Sequence, residues 1–199
     1  MKITQQQLNQ IKKFATLNLK NNDSWHNVEH VEQVVKAAEY LAKKEKANVN
    51  QCIVSAWLHD ISKHKEQKNK KINHGTDAAT VAKPFLSKLG FDPKDVEEIC
   101  YAIHMHNKTP AGKTKESKVL WDADKLRTLG PYGIVSGACN FCYSGLSQEA
   151  AVLKTLDEYS TYVYAYFRTK TAKKIEKKYN KLMRKFHKQY IDIRDVNFR

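Results

Sequence analysis

Apolar side chains in this chain recur three and four residues apart along most of its length, and nowhere alternate with polar ones long enough to argue a sheet. That spacing turns one face inward at each turn of an α-helix, about every 3.6 residues. Little interrupts the pattern: the 199 residues include only 7 Gly and 4 Pro, and long stretches hold neither. A chain of this length has room for one domain with a substantial core, or barely for two small ones. Its 41% hydrophobic and 10% aromatic content excludes the composition of a disordered protein. The expected fold is all-α, a single helical bundle over 1–199.

Leu8, Ile11, Phe14, Ala15 and Leu19 mark an amphipathic opening helix over 3–20. Asp23 or Ser24 is placed to cap a second helix reaching about Lys46, with Val31, Val34, Val35, Ala38, Leu41 and Ala42 on its buried stripe. Asn48 or Asn50 caps a short, strongly apolar helix in NQCIVSAWLHDISK, and KHKEQKNKKIN reads as an exposed loop. His74 opens a helix through Leu89, with Gly90 just past its end, and Pro93 stands in the first turn of another through His106. NKTPAGKTK is loop, and a helix from Glu116 to Leu129 is stopped by Gly130-Pro131. Helical segments over about 132–143 and 147–190 complete the chain, with no internal repeat.

The formal charge is +14, and much of the excess follows residue 168, in Lys170, Lys173, Lys174, Lys177, Lys178, Lys181, Arg184, Lys185 and Lys188. A basic balance fits anionic substrates or nucleic acid, and equally fits solvated helix faces. Four cysteines are too few and scattered for a secreted disulfide framework. Cys139 and Cys142 form a C-x-x-C, but no second pair follows to close a structural zinc site, so they are expected as buried small residues on one helix turn. The first residues carry no apolar signal region, and no window approaches the ~20 apolar residues of a spanning helix. A soluble, cytoplasmic protein without a membrane partner is expected.

Several ionisable residues interrupt the apolar stripes. His30 lies between Val28 and Val31 on the second helix, with His26 one turn earlier. His59 continues the row of Cys52 and Ala56, and Asp60 the row of Ile53 and Trp57. A buried carboxylate is costly unless paired or bound to a metal. Adjacent helical residues diverge by ~100°, so His59 and Asp60 converge only on something held at short range between them. A metal ion meets that condition, since imidazole and carboxylate ligands bind at ~2.0–2.2 Å. Taken alone, a His-Asp dipeptide means little; His74, His104, His106, Asp122 and Asp124 follow in order. Ile99 and Ile103 mark the inward face of their helix, which puts His106 rather than His104 on the inner side.

The ordered series HNVEH, AWLHDISK and LWDADKLRTLG resembles the HD superfamily of metal-dependent phosphohydrolases, over about 22–135 and more faintly to the end. HDISK stands where the family often has HDIGK, with Ser62 in place of glycine, and DADKLRTLG is similar to the motif of small bacterial and archaeal members. The resemblance implies one HD-domain-like helical bundle, with a metal-site core at 22–135 and a basic helical part at 147–199. It implies a metal held by His30, His59, Asp60 and Asp124. His30 is preferred over His26, and Asp124 over Asp122, because V-E-Q-V and D-K-L align; helix geometry alone leaves the two aspartates open. Some members with extra histidines hold two metals, so His74 and His106 are candidates for a second position or for substrate phosphate.

The mixed nitrogen and oxygen donors suit one or two divalent ions of Mn, Fe, Co, Ni, Zn or Mg. Such an ion polarises a phosphoryl group and makes bound water more acidic. Asp60 is expected to ligate and orient the attacking water, and Lys63, one turn on, to neutralise a phosphate oxygen. Lys125 and Arg127 are weaker candidates for substrate binding. The family's substrates include deoxynucleotides, dinucleoside polyphosphates, cyclic dinucleotides and ppGpp. The Glu-Asp motif of the alarmone hydrolases and the extra motif of the cyclic-dinucleotide branch are both absent, so a small nucleotide or related phosphate ester or anhydride is the expected substrate. The alternative is a basic nucleic-acid-binding helical protein with a structural or vestigial metal site, on the strength of the charge and of Tyr159, Tyr162, Tyr164, Tyr166 and Tyr179. Against it, Tyr162 and Tyr166 are spaced as a core stripe, and none of the known nucleic-acid-binding motifs appears. A catalytically dead binding module is disfavoured by the full ligand set.

Overall fold

The computed structural model of the chain describes residues 1–23, 25–109, 112–158 and 167–196. Among the described residues the regular structure is helical, without strands, as the spacing predicts. The chain divides into two compact units, Met1–Asp124 and Lys125–Arg199. Among the described residues, no helix is long and apolar enough to cross a membrane.

The first unit holds α1 (Gln5–Leu19), α2 (Val28–Glu45), α3 (Val49–Leu58), α4 (Lys63–Lys68), α5 (His74–Lys88), α6 (Pro93–Met105) and nearly all of α7 (Lys115–Leu126). Side-chain caps set most of the starts. Thr4, Asn27, Asn48, Asn73 and Asp92 each accept a backbone N–H of the first turn of α1, α2, α3, α5 and α6. Each such cap contributes typically ~1 kcal/mol. At the far end of α5, Gly90 takes φ +79°, a left-handed conformation open to glycine without strain.

Helix α3 is buried nearly all round, through Gln51, Cys52, Val54, Ser55, Ala56, Trp57 and Leu58. A helix apolar on every side belongs in the middle, and α3 packs against α1, α2, α5 and α6. Ile11, Ala15 and Leu19 of α1, Val31 of α2, Ala78, Ala82 and Leu86 of α5, and Val96, Ile99 and Ile103 of α6 close around it. The end of this central helix is therefore a point that α2, α5 and α6 all approach.

The second unit holds α8 (Gly130–Tyr143), α9 (Gln148–Glu158) and α10 (Lys170–Arg194), with α8 packed on both others. Among the described residues, one cluster of its core is Ile134, Leu156 and Met183, flanked by Val152 and Tyr190, and Leu129, Ala151, Phe167 and Ala172 are buried as well.

Several boundaries depart from the sequence expectation. Asp23 does not cap α2. Its Oδ1 instead accepts the N–H groups of Trp25 and His26 in a turn ahead of the helix, and Asn27 caps it; Ser24 lies outside the described residues. The supposed loop after Ser62 begins as α4, where no glycine or proline intervenes and Lys63 pairs with Glu66 three residues on at 2.6 Å. Helix α3 ends at Leu58, so His59 is its cap residue and Asp60 lies in the turn beyond.

Helix α7 ends at Leu126, and Gly130-Pro131 starts α8 rather than stopping α7. The missing N–H of proline costs nothing in a first turn. The segment 147–190 is not one helix, because Thr169 caps α10 afresh through the N–H of Ala172. Tyr159, Tyr162, Tyr164 and Tyr166 lie outside the described residues. Cys139 is exposed and Cys142 half-buried, not buried as expected: the packed face of α8 is Gly133, Ile134 and Gly137, which leaves both thiols turned away.

Candidate metal centre

Five side chains reach the end of α3 from four directions. His30 sits in the first turn of α2, where Asn27 Oδ1 accepts its backbone N–H at 2.9 Å. His59 and Asp60 follow α3 directly. The turn bearing them is stapled by Asn22, whose Nδ2 donates to the Asp60 carbonyl at 3.0 Å while its Oδ1 accepts the His64 N–H at 2.9 Å. His74 opens α5 behind its Asn73 cap, and His106 closes α6. All five are buried.

The two oxygens of Asp60 face two different groups. Oδ2 lies 3.3 Å from His30 Nε2 and 3.2 Å from His59 Nε2. Asp124, on α7, joins this side, with Oδ1 3.4 Å from His30 Nε2 and 3.8 Å from His59 Nε2. Oδ1 of Asp60 lies 3.3 Å from His74 Nε2 and 3.5 Å from His106 Nε2. The ligand-type atoms of His30, His59 and Asp60 fall within 4.8 Å of one another, and so do those of Asp60, His74 and His106. One carboxylate thus serves two trios.

The outer ring nitrogens determine what the inner ones offer. His59 Nδ1 donates to the Ala56 carbonyl at 2.8 Å, and His106 Nδ1 to the Ile103 carbonyl at 2.6 Å. A carbonyl only accepts, so both Nδ1 atoms carry a proton, and in a neutral ring Nε2 is left with its lone pair facing inward. His74 Nδ1 lies 2.8 Å from Glu66 Oε2, while its Nε2 is 3.1 Å from His106 Nε2.

Burial alone would push His59 down, but the Asp60 carboxylate, helped by Asp124, outweighs it and raises the imidazole to about 9. Burial works against ionisation of Asp60, yet the charge of His59 and contacts with the His106, His30 and His59 rings hold it well below the usual carboxylate range. His74 is pushed to about 4 by burial, by His106 and by Lys63, against the opposing pull of Asp60 and Glu66. Burial also lowers His106. An ionised Asp60, with His74 and His106 pushed toward their neutral forms, draws positive charge, and the raised His59 is a direct sign of that pull.

These residues fit a divalent cation. Although only 3.2 Å from Asp60 Oδ2, buried His59 Nε2 makes no well-directed hydrogen bond among the described residues. Buried polar atoms normally find partners, and their exceptions ask for a cause. Neutral imidazole with carboxylate is a donor set for borderline transition metals, and the Nδ1 anchoring is what metal-bound histidines commonly show.

Of the residues singled out from the sequence, the structure brings His30, His59, Asp60 and Asp124 together, and His74 and His106 beside them. Asp122 is fully buried on α7. His104 points away from the pair and meets Lys108 at 2.6 Å. Lys63 reaches the centre only through others, pairing with Glu66 and lying 3.4 Å from His74 Nδ1. Lys125 and Arg127 belong to the second unit, where Arg127 contacts the Tyr132 hydroxyl at 3.2 Å.

Sequence reasoning passes over Asn22, Glu66, Gly75 and Asn107. Asn107 Nδ2 lies 3.2 Å from His74 Nδ1. A Cβ on Gly75 would stand 2.8 Å from Asn107 Oδ1, 3.1 Å from His106 Cε1 and 3.1 Å from the Ile103 carbonyl, so glycine there lets α5 come close enough to α6 for their histidines to meet. A glycine inside a helical pattern was the available signal.

Comparisons with known proteins bear on the family and the fold. The HD domain family matches residues 27–129, which include His30, His59, Asp60, His74, His106 and Asp124. A predicted HD superfamily hydrolase from an uncultured Thermotogales bacterium is 25% identical, with a TM-score of 0.68 over 92% of this chain and 91% of its own. An HD-superfamily hydrolase from Bacillus thuringiensis is 19% identical, with a TM-score of 0.71 over 97% of this chain and 99% of its own. YpgQ of Bacillus subtilis, solved in complex with ADP, is 21% identical, with a TM-score of 0.69 over 97% and 96%. No curated protein matches.

Proposed function

This chain belongs to the HD-domain family, and from that premise we propose that it is a metal-dependent phosphohydrolase acting in the cytoplasm on a nucleotide or related phosphate ester or anhydride. The observation that carries the reading is the sharing of Asp60 between two trios of buried donors. Relatives that match over nearly the whole chain support treating 1–199 as one HD-type domain. The ADP bound to YpgQ supports a nucleotide as the substrate class.

In this reading His30, His59, Asp60 and Asp124 hold one divalent cation, and Asp60, His74 and His106 provide for a second. A bound cation supplies Lewis acidity toward phosphoryl oxygen and makes water more acidic at neutral pH. The chain's own residues do the positioning. Asp60, kept ionised by the imidazoles around it, accepts a hydrogen bond from the attacking water and so orients it toward phosphorus. The Asn22 staple and the carbonyl anchors of His59 and His106 fix the donors before substrate arrives, which lowers the cost of reorganisation. Lys63 brings positive charge to the His74 side, where it balances a phosphate oxygen. Lys125 and Arg127 are weaker contributors to substrate binding. Helix α10 is read as a solvated face, and nucleic acid is not the favoured partner.

A panel of nucleotides and generic phosphodiesters with Mn²⁺, Ni²⁺ or Co²⁺ tests the proposal. The wild type releases phosphate or nucleotide from at least one member in a metal-dependent way, and Asp60→Ala does not. Equal release by both proteins defeats the catalytic reading. Salt-dependent nucleic-acid binding that survives Asp60→Ala, with no hydrolysis by either, favours the alternative.

A further inference from the structure

The contacts of His74 cannot all be satisfied by one neutral ring. Its Nδ1 is 2.8 Å from Glu66 Oε2, and its Nε2 is 3.1 Å from His106 Nε2. Each approach needs a proton between the atoms, and a neutral imidazole has one. His106 cannot supply the second, because its ring proton goes to the Ile103 carbonyl. Two placements remain. With the proton on Nε2, His74 donates to His106 or Asp60, and its bare Nδ1 faces a carboxylate oxygen, with Asn107 Nδ2 at 3.2 Å and Lys63 Nζ at 3.4 Å as the donors in reach. With the proton on Nδ1, it donates to Glu66, and the lone pairs of His74 and His106 face each other.

We infer that Glu66 is a positioning residue that holds His74 in the Nδ1-protonated tautomer, so that its Nε2 serves as a ligand of the second cation position. The inference rests on the metal-binding reading above. Glu66 makes the shortest contact at Nδ1, inside Asn107 Nδ2 at 3.2 Å and Lys63 Nζ at 3.4 Å, and its charge repels a bare Nδ1. The same oxygen is fixed by Lys63 Nζ at 2.6 Å. Glu66, Lys63 and His74 thus form a relay in which an ammonium orients a carboxylate and the carboxylate orients an imidazole. Histidine ligands backed by a carboxylate are stronger donors, and loss of such backing costs about 10–100-fold in metal affinity. The opposed lone pairs on the inner side are what a cation between them would relieve. Lys63 thereby acquires a role apart from any contact with substrate phosphate.

The test uses the full chain with Zn²⁺, a diamagnetic probe, and two readouts apart from activity. Imidazole ¹⁵N shifts report the His74 tautomer, and calorimetric titration reports the binding events. The wild type shows the proton of His74 on Nδ1 both without and with Zn²⁺, and binds in two events. Glu66→Ala moves that proton to Nε2 and weakens the second event about 10–100-fold, leaving the first within about two-fold. Glu66→Gln keeps the size and an acceptor without the charge, and falls between them. If Glu66→Ala retains the wild-type tautomer and both affinities, the positioning role is overturned. It is also overturned if the wild type binds a single cation with the His74 proton on Nε2, an outcome that leaves the metal-dependent reading standing. If the wild type binds no Zn²⁺ at all, it is the metal reading itself that fails, and the inference with it.

Discussion

In the first unit one group of ionisable side chains is buried and turned in on itself; in the second a run of them lines a helix face and meets water. His30, His59, Asp60, His74 and His106 are all buried around the end of α3. On α10, Lys170, Lys173, Lys174, Lys177, Lys178, Lys181, Arg184, Lys185 and Lys188 are all exposed, and they fall within about 140° of the helix circumference. The energetics differ accordingly. A buried carboxylate among imidazoles is tolerated only because several partners meet it at once, and removal of one leaves the others uncompensated. An exposed lysine interacts through water and salt, and contributes little by itself. High charge density therefore marks chemistry only where burial forces it to be organised.

The most damaging substitution in this account is Asp60→Ala, which removes the one group common to both trios. It is expected to abolish metal retention and to lower metal-dependent hydrolysis by well over ~10²-fold, more than the loss of an outer-sphere partner. Retained metal with intact turnover would break the contrast at its strongest point.

Gly75→Ala separates the two trios. Its added methyl presses on Asn107, His106 and the Ile103 carbonyl, so the His74 side is expected to lose about ten-fold in metal affinity while the His30 side keeps its own. Calorimetric titration distinguishes this from equal weakening of both, which would mean that the trios do not behave as separate positions.

Acid stability follows from His74. Its folded pKa is lowered from 6.5 to about 4. Between those values the unfolded chain binds a proton there that the folded chain does not, so stability falls as pH drops through that window. In metal-free protein, His74→Asn is expected to flatten the decline in Tm between pH 6.5 and 4. An unchanged slope would show that His74 is not held neutral by its surroundings.

The solvated face of α10 should tolerate reversal. Lys177→Glu, Lys181→Glu and Lys185→Glu together are expected to leave metal content and kcat within about two-fold, and each to change stability by no more than about 0.5 kcal/mol. A rise in KM that salt abolishes would instead assign α10 a part in drawing in anionic substrate. A similarly modest effect, of opposite sign to most substitutions, is expected at Lys46, a non-glycine residue at φ 55° at the end of α2. Lys46→Gly should raise stability by about 0.5–1 kcal/mol in urea titrations.

The sequence made the helical class and the ordered site residues legible for a physical reason: burial leaves a periodic trace. Ile11, Val31, Val54 and Ile103 repeat at helical spacing because they face α3 or belong to it, and His106 stands out by occupying that inward face, whereas His30 is set apart from His26 by the resemblance of its motif alone. Other features leave no such trace. Glu66 belongs to a polar run whose helix is only six residues long, so nothing periodic announced it. Asn22 acts through a turn rather than a stripe. Thr169, which caps the start of α10, is one side chain within a run that is helical by composition. Gly130-Pro131 reads equally as a stop and as a start, and only packing decides between them. Asp122 and Asp124 share one helix, and the closeness of Asp124 to His30 and His59 is a matter of tertiary geometry that spacing does not encode.

Metal analysis by mass spectrometry, after the chain is incubated with Mn²⁺, Co²⁺ or Zn²⁺ and freed of excess ion, tests the central claim most directly. The account predicts roughly two metal ions per wild-type chain and essentially none for Asp60→Ala. Substoichiometric metal in the wild type that no added ion restores, or equal loading of both proteins, would contradict it.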